Sequence, residues 1–272
     1  MAIATSACGN RADTPIPPSA PASTQTKTLF GALIHTESCN FNACIAAIND
    51  LKLDIVVIGF VPHVNPFTHY DKWLAAIPQD KVMALIALPV EARPPSPEEL
   101  ANYAKHVAKR YPGIKYFEIL NEPNVRQQYP GGMNPLKYTN YYSLAAAAIT
   151  SVNPSATVMG PVIEGFDNSY IQAMSHNTVI AVHPYGSQPD NLWYPLAKLR
   201  AEGYNNYWVS EWGFVDPVAM WKACEAAGCG GAIYYQLQDS PDSPGTGLLD
   251  SRGRPTPAYQ EAKQFLQSRA QP

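Results

Sequence analysis

Eight short apolar runs, each with the composition of a buried strand, recur along the chain between residues 29 and 237. Near-continuous apolar strands that alternate with helical segments indicate a parallel sheet covered on both faces. Eight strand–helix units over about 240 residues match the (β/α)8, or TIM, barrel, whose typical size is ~250 residues. The predicted strands are Leu29–His35, Asp54–Val61, Val82–Val90, Lys115–Leu120, Thr157–Ile163, Val179–His183, Tyr207–Ser210 and Ala232–Leu237.

The segments between these runs have helical spacing of apolar residues. Pro97–Tyr111 also begins with Pro and Glu and ends with Lys and Arg, as the helix dipole favours. A doubly wound open sheet is the alternative fold, but the first strand-to-helix turn, "IHTESCNFN", has no glycine-rich phosphate loop. We therefore predict an α/β protein with a single (β/α)8 domain over residues 28–272. The other predicted helices are Cys44–Leu51, Tyr138–Thr150, Leu192–Glu202, Pro217–Ala227 and Pro257–Arg269.

The composition disfavours several partners. Charged residues make up 15% of the 272, the net charge is −3, and no run of Lys or Arg occurs, so we expect neither nucleic acid nor an anionic membrane surface as a partner. The longest apolar runs are too short to span a bilayer. The 16 Tyr, 8 Phe and 5 Trp suit neutral, stackable ligands such as sugars, and they suit a large core equally well.

Residues 1–27 have a different composition from the rest. They are rich in Pro, Ser, Thr and Ala without hydrophobic periodicity, which predicts a disordered tether. Within it, "ATSAC" resembles the end of a bacterial lipoprotein signal and makes Cys8 a candidate lipid anchor, although Thr5 replaces the usual Leu and no apolar signal core is present. An unmodified cysteine in the tether is the alternative. The predicted location is secreted or in the cell envelope.

The other four cysteines form two C-x4-C pairs, Cys39/Cys44 and Cys224/Cys229. A zinc site, two local disulfides and four free thiols are the alternatives. The predicted strands put the two pairs at opposite ends of the barrel, which disfavours a shared metal. Two short disulfides in an oxidising compartment are the prediction.

Acidic side chains follow two of the predicted strands. Glu122 comes directly after strand four and Glu211 directly after strand seven, at the carboxyl ends that carry chemistry in such barrels. Two carboxylates about 5–5.5 Å apart are what retaining glycoside hydrolysis requires. Glu118 has the same strand parity as Glu122. It is predicted to be a structural carboxylate deeper in the barrel, held by a basic residue, and it is the alternative general acid.

Four segments carry a resemblance to a known group of enzymes. "LNEPN" at residues 120–124, "HPY" at 183–185, "SEWG" at 210–213 and the closing "GLLDSRGRPTPAYQEAKQF" resemble the clan A glycoside hydrolases, (β/α)8 enzymes that include cellulases, mannanases and xylosidases. The resemblance covers about residues 29–268 and implies retaining hydrolysis.

The resemblance also implies individual roles. Glu122 would be the acid/base, Glu211 the nucleophile, and Asn121 a partner of the 2-hydroxyl in the cleaved subsite. Tyr185 and His183 would lie beside the nucleophile. The further candidates for substrate binding are His35, Trp212, Tyr235 and Gln236, of which the last two stand where many members have a Trp. The Arg that many members carry near the end of strand two is absent from "GFVPH" at residues 59–63.

Three function classes compete at this point. The first is a retaining glycosidase that acts on a β-linked poly- or oligosaccharide, the second is a transglycosylase with the same residues, and the third is a non-catalytic sugar-binding barrel. The third would be expected to lose a carboxylate, and both are present. Because no His/Asp cluster has metal-ligand spacing, we expect neither a metal nor a cofactor. A monomer with a carbohydrate substrate is predicted.

Overall fold

Eight parallel strands close into a single barrel in the order β1 to β8, each paired with its neighbours in sequence and β1 with β8. The computed structural model describes residues 27–88, 95–129, 132–185 and 192–269. The predicted single-domain (β/α)8 barrel is confirmed. The predicted tether and Cys8 lie outside the described residues. The strands are β1 Leu29–Ile34, β2 Ile55–Phe60, β3 Val82–Ile86, β4 Tyr116–Ile119, β5 Thr157–Glu164, β6 Val179–His183, β7 Tyr207–Trp212 and β8 Gly231–Tyr234.

A helix follows each strand. The capping box of Ser96 and Glu99, in which each side chain bonds the other residue's backbone N–H, fixes the start of α3. Two helices were not predicted: α2, which begins without a side-chain cap, and the short α5. The helices are α1 Phe41–Leu51, α2 Phe67–Ala76, α3 Pro97–Arg110, α4 Pro135–Thr150, α5 Asn168–Gln172, α6 Trp193–Ala201, α7 Pro217–Ala227 and α8 Pro257–Arg269.

The core has two layers because successive strand residues point to opposite faces. One layer lies between the sheet and the helices, and the other fills the barrel interior. In the interior the Trp208 ring lies against Gly231, where a Cβ would come within 2.1 Å of the indole, and against Tyr116 at 4.9 Å between ring centroids. The interior is therefore packed solid, which leaves the mouth at the carboxyl ends of the strands for a ligand.

The two cysteine pairs differ. Cys39 and Cys44 form a disulfide between the loop after β1 and the first turn of α1, with Cα atoms 6.6 Å apart, as predicted. The prediction of a second disulfide is wrong, because Cys224 and Cys229 are free and fully buried, with their thiols in hydrogen-bond contact. The two pairs have the same sequence spacing, but the backbone between the two cysteines differs. This pair straddles the end of α7, where Gly228 adopts a left-handed conformation and the N–H of Cys229 bonds the carbonyl of Cys224.

Among the residues described, no helix combines the length and the apolar character that crossing a bilayer requires.

Candidate active site

Backbone strain is concentrated at the carboxyl ends of the strands. Of the five non-glycine residues with positive φ among those described, four follow a strand, and two of them, Leu120 at 63° and Glu122 at 43°, follow β4. A left-handed conformation in a residue with a side chain costs roughly 1–3 kcal/mol and persists only where its surroundings impose it. The strain turns the chain after β4 and presents the Glu122 side chain to the barrel mouth.

The loop after β4 is held by hydrogen bonds to its backbone. The Asn124 side chain links this loop to β5. Its Nδ2 donates to the Glu164 carbonyl at 2.8 Å, and its Oδ1 accepts from the Glu164 N–H at 3.0 Å. Three tyrosine hydroxyls donate hydrogen bonds to backbone carbonyls at the end of β4 and in this loop. Tyr138 donates to Ile119, Tyr129 to Asn121 and Tyr170 to Pro123. Together these bonds explain how the strained conformation of Glu122 is maintained.

Glu122 faces a buried histidine from β6. The Glu122 Oε1 atom lies 2.9 Å from His183 Nδ1, and His183 Nε2 lies 3.1 Å from the Ser210 hydroxyl on β7. All three side chains are buried. Burial works against a charged imidazole, but the charges of Glu211, Glu122 and Glu118 together outweigh it and raise the pKa of His183.

Glu211 lies on the other side of the same histidine. The Tyr185 hydroxyl donates to Glu211 Oε1 at 2.6 Å. Burial raises the pKa of the Glu211 carboxyl and the charge of Glu122 adds to that effect, while His183 and the Tyr185 hydrogen bond oppose it. One carboxylate oxygen of each glutamate and one ring nitrogen of His183 all lie within 4.8 Å of one another.

An open cavity of about 900 Å³ lies above the two carboxylates. Asn121, Glu122, Tyr185 and Glu211 line it, together with His35 and Tyr235. His35 Nε2 lies 3.2 Å from the Tyr235 hydroxyl. Burial lowers the pKa of His35, and the charges of Glu37 and Asp242 oppose that shift. A neutral imidazole and a phenol hydroxyl are hydrogen-bonding groups that suit an uncharged polyhydroxyl ligand.

Of the two polar atoms of the Asn121 side chain, one is hydrogen-bonded and the other has no partner. Its Nδ2 donates to Gln128 Oε1 at 3.2 Å, while its Oδ1 is buried without a partner. A buried acceptor without a donor costs free energy unless a ligand supplies one. Gln128 in turn donates to Glu122 Oε2 at 2.5 Å, so that one side chain orients both Asn121 and Glu122.

Three sequence candidates for substrate binding do not line the cavity: His183, Trp212 and Gln236. Trp212 and Gln236 are both 0% exposed, and neither lines the cavity. The Trp212 ring packs in the layer between sheet and helices, because it follows Glu211 directly and strand side chains alternate in direction. The Gln236 amide donates to Ser240, Ser243 and Thr246 and holds the loop after β8. Of the two candidates for the position after β8, the structure brings Tyr235 to the cavity.

Glu122, His183 and Glu211 are close enough for one cation to contact all three. The atoms that would hold it are already hydrogen-bonded, His183 Nδ1 to Glu122 and Glu211 to Tyr185. A carboxylate–imidazole–carboxylate network of this kind handles protons without a metal.

The sequence reasoning missed Gln128 and Ser210. Gln128 lies in a 3₁₀ turn six residues beyond Glu122, and no periodicity predicts that its side chain turns back. Ser210 had a usable signal, since a hydroxyl in the apolar run "YWVSEW" next to an acidic residue marks a polar position on a buried strand.

The same fold occurs in solved glycosidase structures. A family 39 glycoside hydrolase from Bacteroides cellulosilyticus matches with a TM-score of 0.68 and 17% identity over 88% of this chain and 64% of that chain. For a glucosidase from Croceicoccus marinus the TM-score is 0.72 at 14% identity, with coverages of 89% and 67%. An exo-beta-1,4-mannosidase from an Opitutaceae bacterium matches with a TM-score of 0.68 and 15% identity over 91% of this chain and 60% of that chain.

The descriptions of these neighbours name glycosidases, the class of enzyme that the sequence motifs resemble. At such identities the similarity establishes the (β/α)8 fold, and the chain spans between 60% and 67% of the length of the three neighbours. No protein-family model and no curated protein matches the chain.

Proposed function

We propose that the protein is a retaining glycoside hydrolase that cleaves a β-linked poly- or oligosaccharide, with Glu211 as nucleophile and Glu122 as acid/base. The observation that carries the proposal is the proximity of the two carboxylates beneath an open cavity, with one oxygen of each within 4.8 Å. Retaining enzymes hold their carboxyl groups about 5–5.5 Å apart, whereas inverting enzymes need ~6.5–9.5 Å to admit a water.

In the first step Glu211 attacks the anomeric carbon while Glu122 gives its proton to the leaving oxygen. The electron pair of the glycosidic bond goes to that oxygen, and an ester joins the sugar to Glu211. In the second step Glu122 takes a proton from water, whose oxygen displaces Glu211. The Tyr185 hydroxyl stabilises the Glu211 carboxylate before attack and after release.

The remaining cavity groups fit a neutral sugar. The unpartnered Asn121 Oδ1 would accept a hydrogen bond from the 2-hydroxyl, and this bond would strengthen as the oxocarbenium-like transition state forms. The neighbours with the same fold are a family 39 glycoside hydrolase, a glucosidase and a mannosidase by their descriptions, which supports a carbohydrate substrate.

The proposal extends to location and assembly. The Cys39–Cys44 disulfide supports a secreted or envelope enzyme that degrades polysaccharide outside the cytoplasm, with Cys8 as the candidate lipid anchor. A β-xylosidase from Caulobacter crescentus with the same fold is described as monomeric, which supports a monomer here.

Paired variants with added azide test the two roles. Glu211→Gln should abolish turnover, because an amide can neither attack nor carry the ester. Glu122→Ala should retain the first step on aryl glycosides with good leaving groups, and azide should restore turnover with a β-glycosyl azide as product. Glu261→Gln, an exposed substitution on α8, is the matched control and should retain full activity.

The configuration of the azide product decides between mechanisms. An α-azide from the Glu122 variant would exclude retention. An α-azide from the Glu211 variant alone would keep Glu211 as nucleophile but remove Glu122 from the acid/base role. If no β-glucan, xylan, mannan, galactan or aryl glycoside is cleaved by the unmodified protein, the enzymatic proposal itself fails.

A further inference from the structure

A third carboxylate lies in the barrel beneath the pair. Glu118 on β4 is 1% exposed, and its Oε1 atom has no hydrogen-bond partner. The charged groups nearest to its carboxyl are His183 and Glu211, so the basic neighbour expected from the sequence is a histidine. An ionised carboxylate in this position is costly without a cation or a full set of donors.

Ser210 and His183 lie between Glu118 and Glu122. The Ser210 hydroxyl bonds the Glu118 carboxyl and lies 3.1 Å from His183 Nε2. His183 Nδ1 lies 2.9 Å from Glu122 Oε1. These four side chains form a continuous path from the barrel interior to the cavity, and we call them the buried relay.

The relay must accommodate a charge that moves during catalysis. Before the first step the negative charge rests on Glu211, and after it the charge rests on Glu122, because Glu211 has become an ester. A positive imidazolium facing Glu122 is therefore needed most when Glu122 is ionised. A hydroxyl between a carboxylic acid and an imidazole can pass a proton by accepting one and donating its own.

We propose that Glu118 is a positioning residue for the acid/base, which sends a proton through Ser210 to His183 when Glu122 is ionised and recovers it when Glu122 is protonated. The inference rests on the role proposed above for Glu122. The Glu118 O–H bond breaks as its proton moves to the Ser210 oxygen, and the Ser210 proton moves to His183 Nε2. The imidazolium then donates from Nδ1 to the Glu122 carboxylate, and the reverse transfer restores the starting state.

The protonation states that the relay requires agree with its surroundings. Burial raises the pKa of Glu118 to about 7, opposed by His183 and by the Ser210 hydrogen bond and assisted by Glu211, so that a proton is held near neutral pH. From α4 the Tyr138 hydroxyl also faces this region, and burial raises its pKa, so that it stays uncharged. Among the described residues, the remaining titratable groups that face His183 and Glu122 are Glu211 on β7, Tyr185 after β6 and Tyr129 in the loop after β4.

The test uses Glu118→Gln and Ser210→Ala in the full chain. Glutamine keeps the shape of Glu118 and can still donate to Ser210, but it has no proton to release. The first readout is the titration of the His183 ring nitrogens by NMR, which needs no turnover. We expect the pKa of His183 to fall by about one unit or more in Glu118→Gln, since a carboxylate that favours its charged form is gone. His176, which contacts Tyr204 away from the site, is the internal control and should not shift.

The second readout is the pH profile of kcat/KM on an aryl glycoside. Without the imidazolium, the ionised form of the acid/base is less stabilised, so the alkaline limb should move up by about one pH unit in both variants. The double variant should shift no further than either single one, because both interrupt the same path.

The outcomes separate the two proposals. An unchanged His183 titration in Glu118→Gln, or additive shifts in the double variant, would overturn the relay even if the enzyme is active. If the unmodified protein cleaves no glycoside, the glycosidase proposal fails while the His183 titration still decides whether Glu118 charges that ring. Should Glu118→Gln not fold, Ser210→Ala interrupts the path without changing a charged residue, and the alkaline limb of kcat/KM then decides.

Discussion

Tyr185 donates its hydroxyl hydrogen to Oε1 of Glu211 over 2.6 Å. Burial and the adjacent carboxylate raise the pKa of the tyrosine, so the proton stays on the phenol. The bond therefore favours the ionised form of Glu211 against the burial that disfavours it.

Tyr185→Phe should consequently raise the pKa of Glu211 further. The acid limb of kcat/KM should move to higher pH, because the carboxylate form that attacks appears only at higher pH. Loss of a hydrogen bond to a charged group costs about 1.5–3 kcal/mol. This predicts a roughly 10- to 100-fold decrease in kcat/KM at pH values below the new acid limb. The control is Tyr142→Phe, whose hydroxyl bonds the Val158 carbonyl. An unmoved acid limb would assign the limb to a group other than Glu211.

Asn121→Ala should lower kcat more than it raises KM. The free Oδ1 is expected to meet the sugar 2-hydroxyl most strongly in the transition state, and losses confined to that state appear in kcat. Steady-state kinetics on a 2-hydroxy glycoside and its 2-deoxy analogue provide the measurement. The variant should lose much less on the 2-deoxy analogue, and an equal loss on both would mean that Asn121 acts through Gln128 instead.

Phe214 is expected to contact a sugar next to the cleaved one. It is 67% exposed, lines the cavity rim, and its ring lies 6.0 Å from that of Tyr185. Phe214→Ala should raise KM for oligosaccharides by about fivefold, the value of roughly 1 kcal/mol of aromatic stacking, and leave KM for a single-sugar aryl glycoside unchanged. Leu136→Ala is the control, since Leu136 is an apolar residue that is 81% exposed and does not line the cavity. Equal effects on short and long substrates would contradict this assignment.

Stability should decrease as the pH rises through the range in which Glu118 titrates. A carboxyl whose pKa is raised from 4.5 to about 7 binds more protons when folded than when unfolded between those values, so the unfolding free energy falls across that window. The shift corresponds to about 3 kcal/mol. Thermal unfolding between pH 4 and about 8 should show this loss in the unmodified protein and a flatter profile in Glu118→Gln. A profile that Glu118→Gln leaves unchanged would mean that the unfolded chain titrates in the same range.

Alkylation should distinguish the cysteines. In denaturant without a reductant, Cys224 and Cys229 should be labelled and Cys39 and Cys44 should not, because only the second two share a disulfide. Under native conditions Cys224 should also resist labelling, since burial raises the pKa of its thiol. Peptide mapping by mass spectrometry makes the assignment. Protection of the Cys224 peptide in denaturant would show a second disulfide.

The strands were predictable because parallel barrel strands are apolar on both faces, and this leaves long signals in the sequence. The prediction failed where the signal was weak. α2 begins at "PFTHY" without a polar cap, and α5 is a single turn and a half, too short for a periodic pattern. Boundaries also moved: β7 continues through Glu211 to Trp212, because a glutamate facing the barrel mouth need not end a strand.

The carboxylates were predictable from their strand ends, but their surroundings were not. Gln128 reaches Glu122 only because a 3₁₀ turn reverses the chain. Trp212 is a candidate for substrate binding by sequence, but the alternation of strand side chains directs it to the other face of the sheet. The second cysteine pair shows the same limit, since identical spacing gives a disulfide at the start of one helix and two free thiols at the end of another. Pairwise geometry of this kind depends on backbone direction, which spacing alone does not encode.

The packing of Trp208 against Tyr116 and Gly231 closes the barrel below the carboxylates. Within the part of the chain that is described, a sugar in the cavity therefore leaves at the end of the barrel by which it entered. The departing half of a cleaved chain lies in the path of the incoming water, and a sugar that lingers there competes with water for the bond to Glu211. The residence time of the leaving sugar at the barrel mouth, set partly by Phe214, would then govern the ratio of hydrolysis to sugar transfer.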